Sequence, residues 1–346
     1  MRRALAALLG LALLAVPAPG EAAATARPAK WRTTVFAPMP APGYPAHVYV
    51  HRNGRVYAAS YVAHGSKQPS KVVEWSARGR LLRTWRVPRQ VLAAEHGVQA
   101  ANQTRDGRLV LLETSRAAVL TLDLDTGRFR TVARLPEGSV PNYAAWGPGP
   151  ALYVTDYAKA TIWKVLPRTG RVVPWFRSTA LAGIAGFGTT GIAYRPGHRD
   201  LLITQQTAAG LLPVNGHLYS LKVRADGRPG RLRTLWTSRP AELPDGFGIG
   251  RSGHVYVAMA GLSAQLVELS ASGKELDRFP DAPLTGGNGS PVPFDTPCNA
   301  TFQGTRVLVA NQSAIFGKRD HQAVLAVEVG ERGRAPYLPK GAVFGR

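Results

Sequence analysis

A single pattern returns six times between Pro45 and Gly333, and it limits what this chain can fold into more than any other feature. The segments AHVYVHRNGRVYAAS, VQAANQTRDGRLVLLET, PNYAAWGPGPALYVTD, TGIAYRPGHRDLLITQQ, DGFGIGRSGHVYVAMA and NATFQGTRVLVANQ share one plan. Each has a strand-like run, a turn that usually holds glycine, and a more apolar second run. Apolar residues recur at every second position, the period of a strand, and helical periodicity is nearly absent. In most units a third alternating run follows (TIWKVLP, AQLVELS, QAVLAVEVG). A more polar fourth often comes next (LLRTWRVP, RFRTVARLP, RLRTLWTS). A repeat of roughly 40–55 residues built this way is the size of a propeller blade.

The expected fold is therefore all-β, a six-bladed β-propeller formed by one domain over residues 27–346. A sandwich has no fixed four-strand unit, and a parallel α/β sheet needs amphipathic helices between its strands. Thr33 to Phe36 precedes the first unit as a spare strand, expected to pair in the last blade and close the ring, which removes an exposed edge. Asn53-Gly54, Asp106-Gly107, Ser252-Gly253 and Ser272-Gly273 read as hairpin turns. Ser178 to Thr190 reads as a loop capping one face, and the longest insert falls around Thr207 to Gly216. The tryptophans at 31, 75, 85, 146, 163, 175 and 236 are expected to pack between blades.

Residues 1–26 have the order of a secretory signal peptide: Arg2 and Arg3, an apolar run from Ala4 to Val16, then small residues with A-x-A cleavage options after Ala24 or Ala26. The apolar run is shorter than the roughly 20 residues that span a bilayer. The mature chain is thus expected to be secreted or extracytoplasmic, not membrane-spanning, and monomeric. Its one cysteine, Cys298, allows no internal disulfide, so the fold rests on its core; a small buried residue is the expected role. The formal net charge is +22, but the basic residues are scattered through turns and strand ends. This implies no nucleic-acid partner; weak contact with an anionic cell envelope is the partner such a charge suggests.

In a propeller the innermost strands line a central channel, so functional residues are expected near their starts. Counting back equally from the turn glycines, or from the tyrosines of the second strands, gives Ala46, Gln99, Asn142 and Asp245. The oxygen-bearing three suit Ca²⁺ or another hard divalent ion. An Asp or Asn in such a place also serves simply as a turn residue.

The segments PNYAAWGPGPALYVTDYAKATIWKV and PDGFGIGRSGHVYVAMA resemble the PNG and PDG blade motifs of the regucalcin/gluconolactonase family, and the blade pattern resembles it from about Pro45 to Gly333. That resemblance implies a six-bladed propeller with a divalent cation in its channel and activity on a sugar lactone. Carried over, it makes Asn142 and Asp245 metal ligands and Gln99 a substrate-side residue. The family's first-blade glutamate is missing: the corresponding stretch reads PGYPAHVYV, with no carboxylate from Trp31 to Ser70. His47, next to the vacated position, is the candidate substitute ligand, suited to a softer ion than Ca²⁺, and a candidate substrate-binding residue; a histidine at a strand start also serves as a structural or solvent-facing residue.

Two functions follow. In the first, a bound ion polarises a lactone or ester carbonyl, Asp245 binds the ion and activates water, and Asn142, Gln99 and His47 hold the small-molecule substrate. In the second, the chain is a non-catalytic propeller that binds a ligand or protein at its channel mouth. A third relation, to strictosidine-synthase-like propellers, shares the fold without the metal site.

Overall fold

A computed structural model describes residues 29–345 apart from 63–65, 211–213 and 315–316; the expected leader, 1–26, lies outside the described residues. The first meander comprises β2 (Tyr44–Val50), β3 (Val56–Val62), β4 (Lys71–Trp75) and β5 (Leu81–Arg86), after β1 (Thr33–Pro38). The second comprises β6 (His96–Gln103), β7 (Leu109–Glu113), β8 (Ala118–Leu122) and β9 (Phe129–Arg134). Next come β10 (Pro141–Gly147), β11 (Ala151–Asp156), β12 (Thr161–Val165) and β13 (Val172–Arg177). They are followed by β14 (Thr189–Arg195), β15 (Asp200–Gln205), β16 (His217–Val223) and β17 (Pro229–Thr237). Then come β18 (Pro244–Ile249), β19 (Val255–Met259), β20 (Leu266–Leu269) and β21 (Glu275–Phe279), and last β22 (Pro297–Gln303), β23 (Arg306–Asn311) and β24 (Ala323–Glu328).

The chain is an all-β propeller. Strands β10 to β13, β14 to β17 and β18 to β21 form separate four-stranded sheets. In another, β1 pairs with β24 beside β23 and β22, so the N-terminal strand completes the C-terminal sheet. The first two meanders join into one eight-stranded sheet through Tyr61 opposite Gly97 and Val62 opposite His96. The first strands touch in the closed order β2, β6, β10, β14, β18, β22 and back to β2. Helical structure among the described residues is limited to short 3₁₀ turns, two of them in the 178–190 loop. Among the described residues no helix is long and apolar enough to cross a membrane.

The core lies between sheets. Val110, Leu112 and Val119 of the second meander pack on Leu152, Val154 and Trp163 of the third, while Val48, Val73 and Trp75 of the first pack on Leu308, Val324 and Ala326 of the last. Each sheet thus buries both faces, and its alternating pattern reads apolar toward one neighbour and then the other. Tryptophans do bridge neighbouring sheets. Trp146 Nε1 donates to the Gln103 carbonyl at 2.7 Å, Trp175 Nε1 to the Gly227 carbonyl at 2.9 Å, and Trp31 Nε1 to Asp277 at 2.9 Å. The turns fall as expected, with φ of +92° at Gly107 and +95° at Gly253, a region open to glycine.

Candidate functional site

Every first strand carries a register shift against its second strand. The shifts lie between Pro45 and His47, Ala100 and Asn102, Pro141 and Ala144, Thr189 and Ile192, Pro244 and Phe247, and Pro297 and Asn299. A bulge sets two residues against one and re-aims the extra side chain. Ala46, Asn142, Asp245 and Cys298 all stand in these bulges. Gln99 sits just before its own, opposite Leu112.

Asp245 is the charged centre of this layer and is buried. Gln206 Nε2 donates to its Oδ2 at 2.7 Å, and the Tyr157 hydroxyl donates to Gln206 Oε1, which fixes the amide. Thr204 Oγ1 donates to the Asp245 carbonyl at 2.5 Å. Burial pushes the Asp245 carboxyl up to about 7, opposed by its polar contact with the Tyr143 phenol and by the hydrogen bonds from Gln206 and the Gly246 N–H, which favour its charged form. Burial likewise raises the Tyr143 and Tyr157 phenols and the Cys298 thiol, and the field of Asp245 adds to each. The Cys298 thiol donates to the Ala46 carbonyl at 2.9 Å, so it is a buried structural residue.

The other expected residues fall in the same ring of first strands. Asn142 Oδ1 and Gln99 Oε1 are both buried with no hydrogen-bond partner. His47 is buried too, its pKa held down at about 3 by burial, so its ring is neutral, and its Nδ1 has no partner. Its ring lies 4.6 Å from that of Tyr143. At the first-blade position Ala46 offers only a methyl group.

Tyr143 stands where the resembled motif has glycine. From β10 its hydroxyl reaches β22, donating to the Cys298 carbonyl at 2.8 Å, while the same oxygen abuts Gly246 of β18 and the ring packs on His47 of β2. In the cyclic strand order β10 and β22 face each other, so this side chain crosses the channel. It separates the layer of Asp245 from the space below. Gln206, Tyr157 and Tyr143 were not singled out from sequence; the Gln205-Gln206 pair ending β15 and the tyrosine after Asn142 were the available signals.

The tightest cluster of metal-ligand atoms among the described residues lies elsewhere. His254, Glu268 and Glu331 bring ligand atoms within 4.8 Å of one another. There Lys30 Nζ sits 2.6 Å from Glu268 Oε2, and the Tyr256 hydroxyl lies 3.0 Å from Glu268 and 2.9 Å from Glu331. The lysine supplies the compensating charge, and the network fastens the segment before β1.

No protein-family profile matches the chain, and no curated protein sequence does. Solved structures do. The calcium-binding protein regucalcin from Agrobacterium tumefaciens is 16% identical, with a TM-score of 0.60 over 88% of this chain and 98% of that one. A gluconolactonase from Xanthomonas campestris is 16% identical, with a TM-score of 0.59 over 87% of this chain and 88% of its own. Virginiamycin B lyase from Staphylococcus aureus is 14% identical, with a TM-score of 0.55 over 84% of this chain and 83% of its own. The regucalcin and gluconolactonase structures are propellers of the kind the PNY and PDG segments resemble, and at these identities the likeness establishes the fold.

Proposed function

We propose that the chain is an exported, six-bladed, regucalcin/gluconolactonase-like propeller that acts on a small lactone or related ester at the Asp245 end of its channel. The eight-stranded sheet is then two blades bridged at Tyr61 and Val62. The observation that carries this reading is the pair of buried acceptors without donors, Gln99 Oε1 and Asn142 Oδ1, on the ring of first strands that also carries the buried carboxylate Asp245. Stranded oxygens are costly unless something meets them, and a hard divalent cation such as Ca²⁺ does so.

The donor set fits such an ion through Asn142 Oδ1, Gln99 Oε1 and the Asp245 oxygen that Gln206 leaves open. Bound there, the ion would act as a Lewis acid on a carbonyl oxygen. Asp245 then orients water and takes its proton, Gln206 and Tyr157 hold the carboxylate in place, and Tyr143 and His47 close the floor. Ala46 leaves the set one carboxylate short, so affinity for the ion is low. That shortfall is the specific observation favouring the second reading, a propeller that binds a ligand here without turning it over.

Calorimetric titration of the mature protein with Ca²⁺, beside Asp245→Ala and Asn142→Ala, tests the site, and a lactone panel tests the chemistry. Saturable binding weakened in both variants, together with lactone hydrolysis lost in Asp245→Ala, supports the hydrolase. Ligand binding without turnover supports the second reading. Export is tested by the N-terminal residue of the protein recovered outside the cytoplasm.

A further inference from the structure

Below Tyr143 the channel widens into a chamber of about 540 Å³, within the size range of small-molecule sites. Its walls are the later halves of the first strands, with Tyr49, Phe247 and Phe302 supplying aromatic surface. Its floor is the C-terminal segment. Arg251 N–H donates to the Arg332 carbonyl at 2.9 Å, Gly333 N–H to Gly304 at 3.0 Å and Arg334 N–H to Ile249 at 2.8 Å. Tyr337 then packs edge-on against Tyr194. The segment spans the channel end as a strap.

The charge of this chamber is one-sided. Arg52, Arg251, Arg332 and Arg334 line it, and among the described residues no aspartate or glutamate does. Among the described residues, the arginine–carboxylate pairs involve other arginines. A second observation is independent of the arginines. Gln103, at the end of β6, is buried at 3% exposure and lines the chamber. Its Oε1 accepts from the Arg52 N–H at 2.8 Å, which orients the amide, and its Nε2 then has no acceptor. A buried amide donor left unmatched is destabilising. Its complement is an oxygen acceptor beside Arg52.

We propose that this chamber binds an organic carboxylate with an apolar body, its head group between Gln103 Nε2 and the Arg52 guanidinium and its body against Phe247 and Phe302. An anion is favoured over a neutral acceptor because four exposed arginines line the chamber and, among the described residues, no carboxylate lines it to offset them. An apolar body is favoured because a small hydrated anion would leave the aromatic walls in water. Nothing in this assignment depends on Asp245 or on a metal, since Tyr143 and His47 stand between the two spaces.

Dansyl-labelled undecanoic acid, followed by dansyl emission, and its methyl ester are the probes. The acid is expected to bind saturably and one to one, the ester about tenfold more weakly. Arg52→Gln with Gln103→Leu is expected to weaken the acid at least tenfold and the ester by less, since the ester loses only the Gln103 hydrogen bond, and Asp245→Ala to leave both unchanged. Arg52→Gln with Arg251→Gln changes only exposed side chains and provides the same comparison if Gln103→Leu fails to fold. No saturable binding of the acid, equal binding of acid and ester, or undiminished binding in the arginine variants would overturn the proposal.

Discussion

The hydroxyl of Tyr143 fills the space that any side chain at residue 246 would need: a Cβ built on Gly246 lies 2.3 Å from the phenol oxygen and 2.8 Å from the adjoining ring carbons. The same oxygen is tied to the Cys298 carbonyl at 2.8 Å, and the ring rests on His47. One side chain is therefore held by three strands of other sheets, and it has nowhere to retreat. Gly246→Ala is expected to lower stability by about 1–3 kcal/mol through overpacking. Tyr143→Phe in the same chain should restore only part, because the ring carbons remain close. A double-mutant cycle on chemical denaturation measures the coupling, and an additive cycle would mean the phenol is not clamped.

Asp245 makes a pH prediction whose sign is the reverse of the usual carboxylate. Its folded pKa, about 7, lies above the unfolded value near 3.9, so between those values the folded state binds the extra proton. Its contribution to stability is full below about pH 4 and is lost as pH rises toward 7, on the order of 1.4 kcal/mol per unit at the steepest. Asp245→Asn is expected to flatten that part of the profile and to be more stable than the parent at pH 8. Urea unfolding at pH 5 and pH 8, without divalent ions, reads this directly. A variant that loses stability equally at both values would show that the carboxylate is already charged in the folded protein.

How much of this was visible in the chain depended on whether a contact was local. Strand alternation and turn glycines are local, so the repeat, the sheet pattern and the closing role of Thr33 to Phe36 could be read from residue order. Counting from a turn glycine placed Asp245, and counting from Tyr153 placed Asn142, in equivalent bulges, while the turn count set Gln99 just before its own. Counting sees positions but not what crosses between them. Gln206 meets Asp245 from the neighbouring sheet, and Tyr143 spans the ring, so neither stood out in a linear motif centred on Asn142. The tail after Gly333 carries no alternation, and its backbone bonds to the strand ends exist only in the folded chain. The Tyr61 to Gly97 pairing that merges two sheets is equally non-local.

Strand β1 makes the edge of the last sheet unavailable, through pairs from Thr33 opposite Val327 to Pro38 opposite Ala323. Deleting residues 29–38 would leave β24 with an open row of N–H and C=O groups, a template for another chain. It would also remove Ala37 from the core cluster it shares with Val48, Trp75 and Leu308. The truncated protein is expected to be less stable and to self-associate, seen by light scattering as concentration-dependent growth. A truncated form that stays monomeric and keeps its melting temperature would show that closure does not depend on this strand.

Phe344 sets how firmly the strap is fastened. It is almost fully buried, its ring lies 5.6 Å from that of Trp146, and with Ala342 it belongs to the cluster shared by the second and third meanders. Beyond it, the Gly345 N–H donates to the Pro167 carbonyl at 2.9 Å. Phe344→Ala removes a full aromatic side chain from a packed site, a change that costs about 3–5 kcal/mol where the cavity cannot collapse. The segment can respond by releasing instead, since the apolar residues that hold it between Arg332 and Lys340, Tyr337 and Leu338, are only partly buried. Release limits the global cost and moves the effect to the tail. The expected result is a modest fall in melting temperature with sharply faster proteolytic cleavage after Arg332 or Arg334. A large fall in melting temperature without faster cleavage would make Phe344 part of the core proper, and the strap a rigid floor to the chamber.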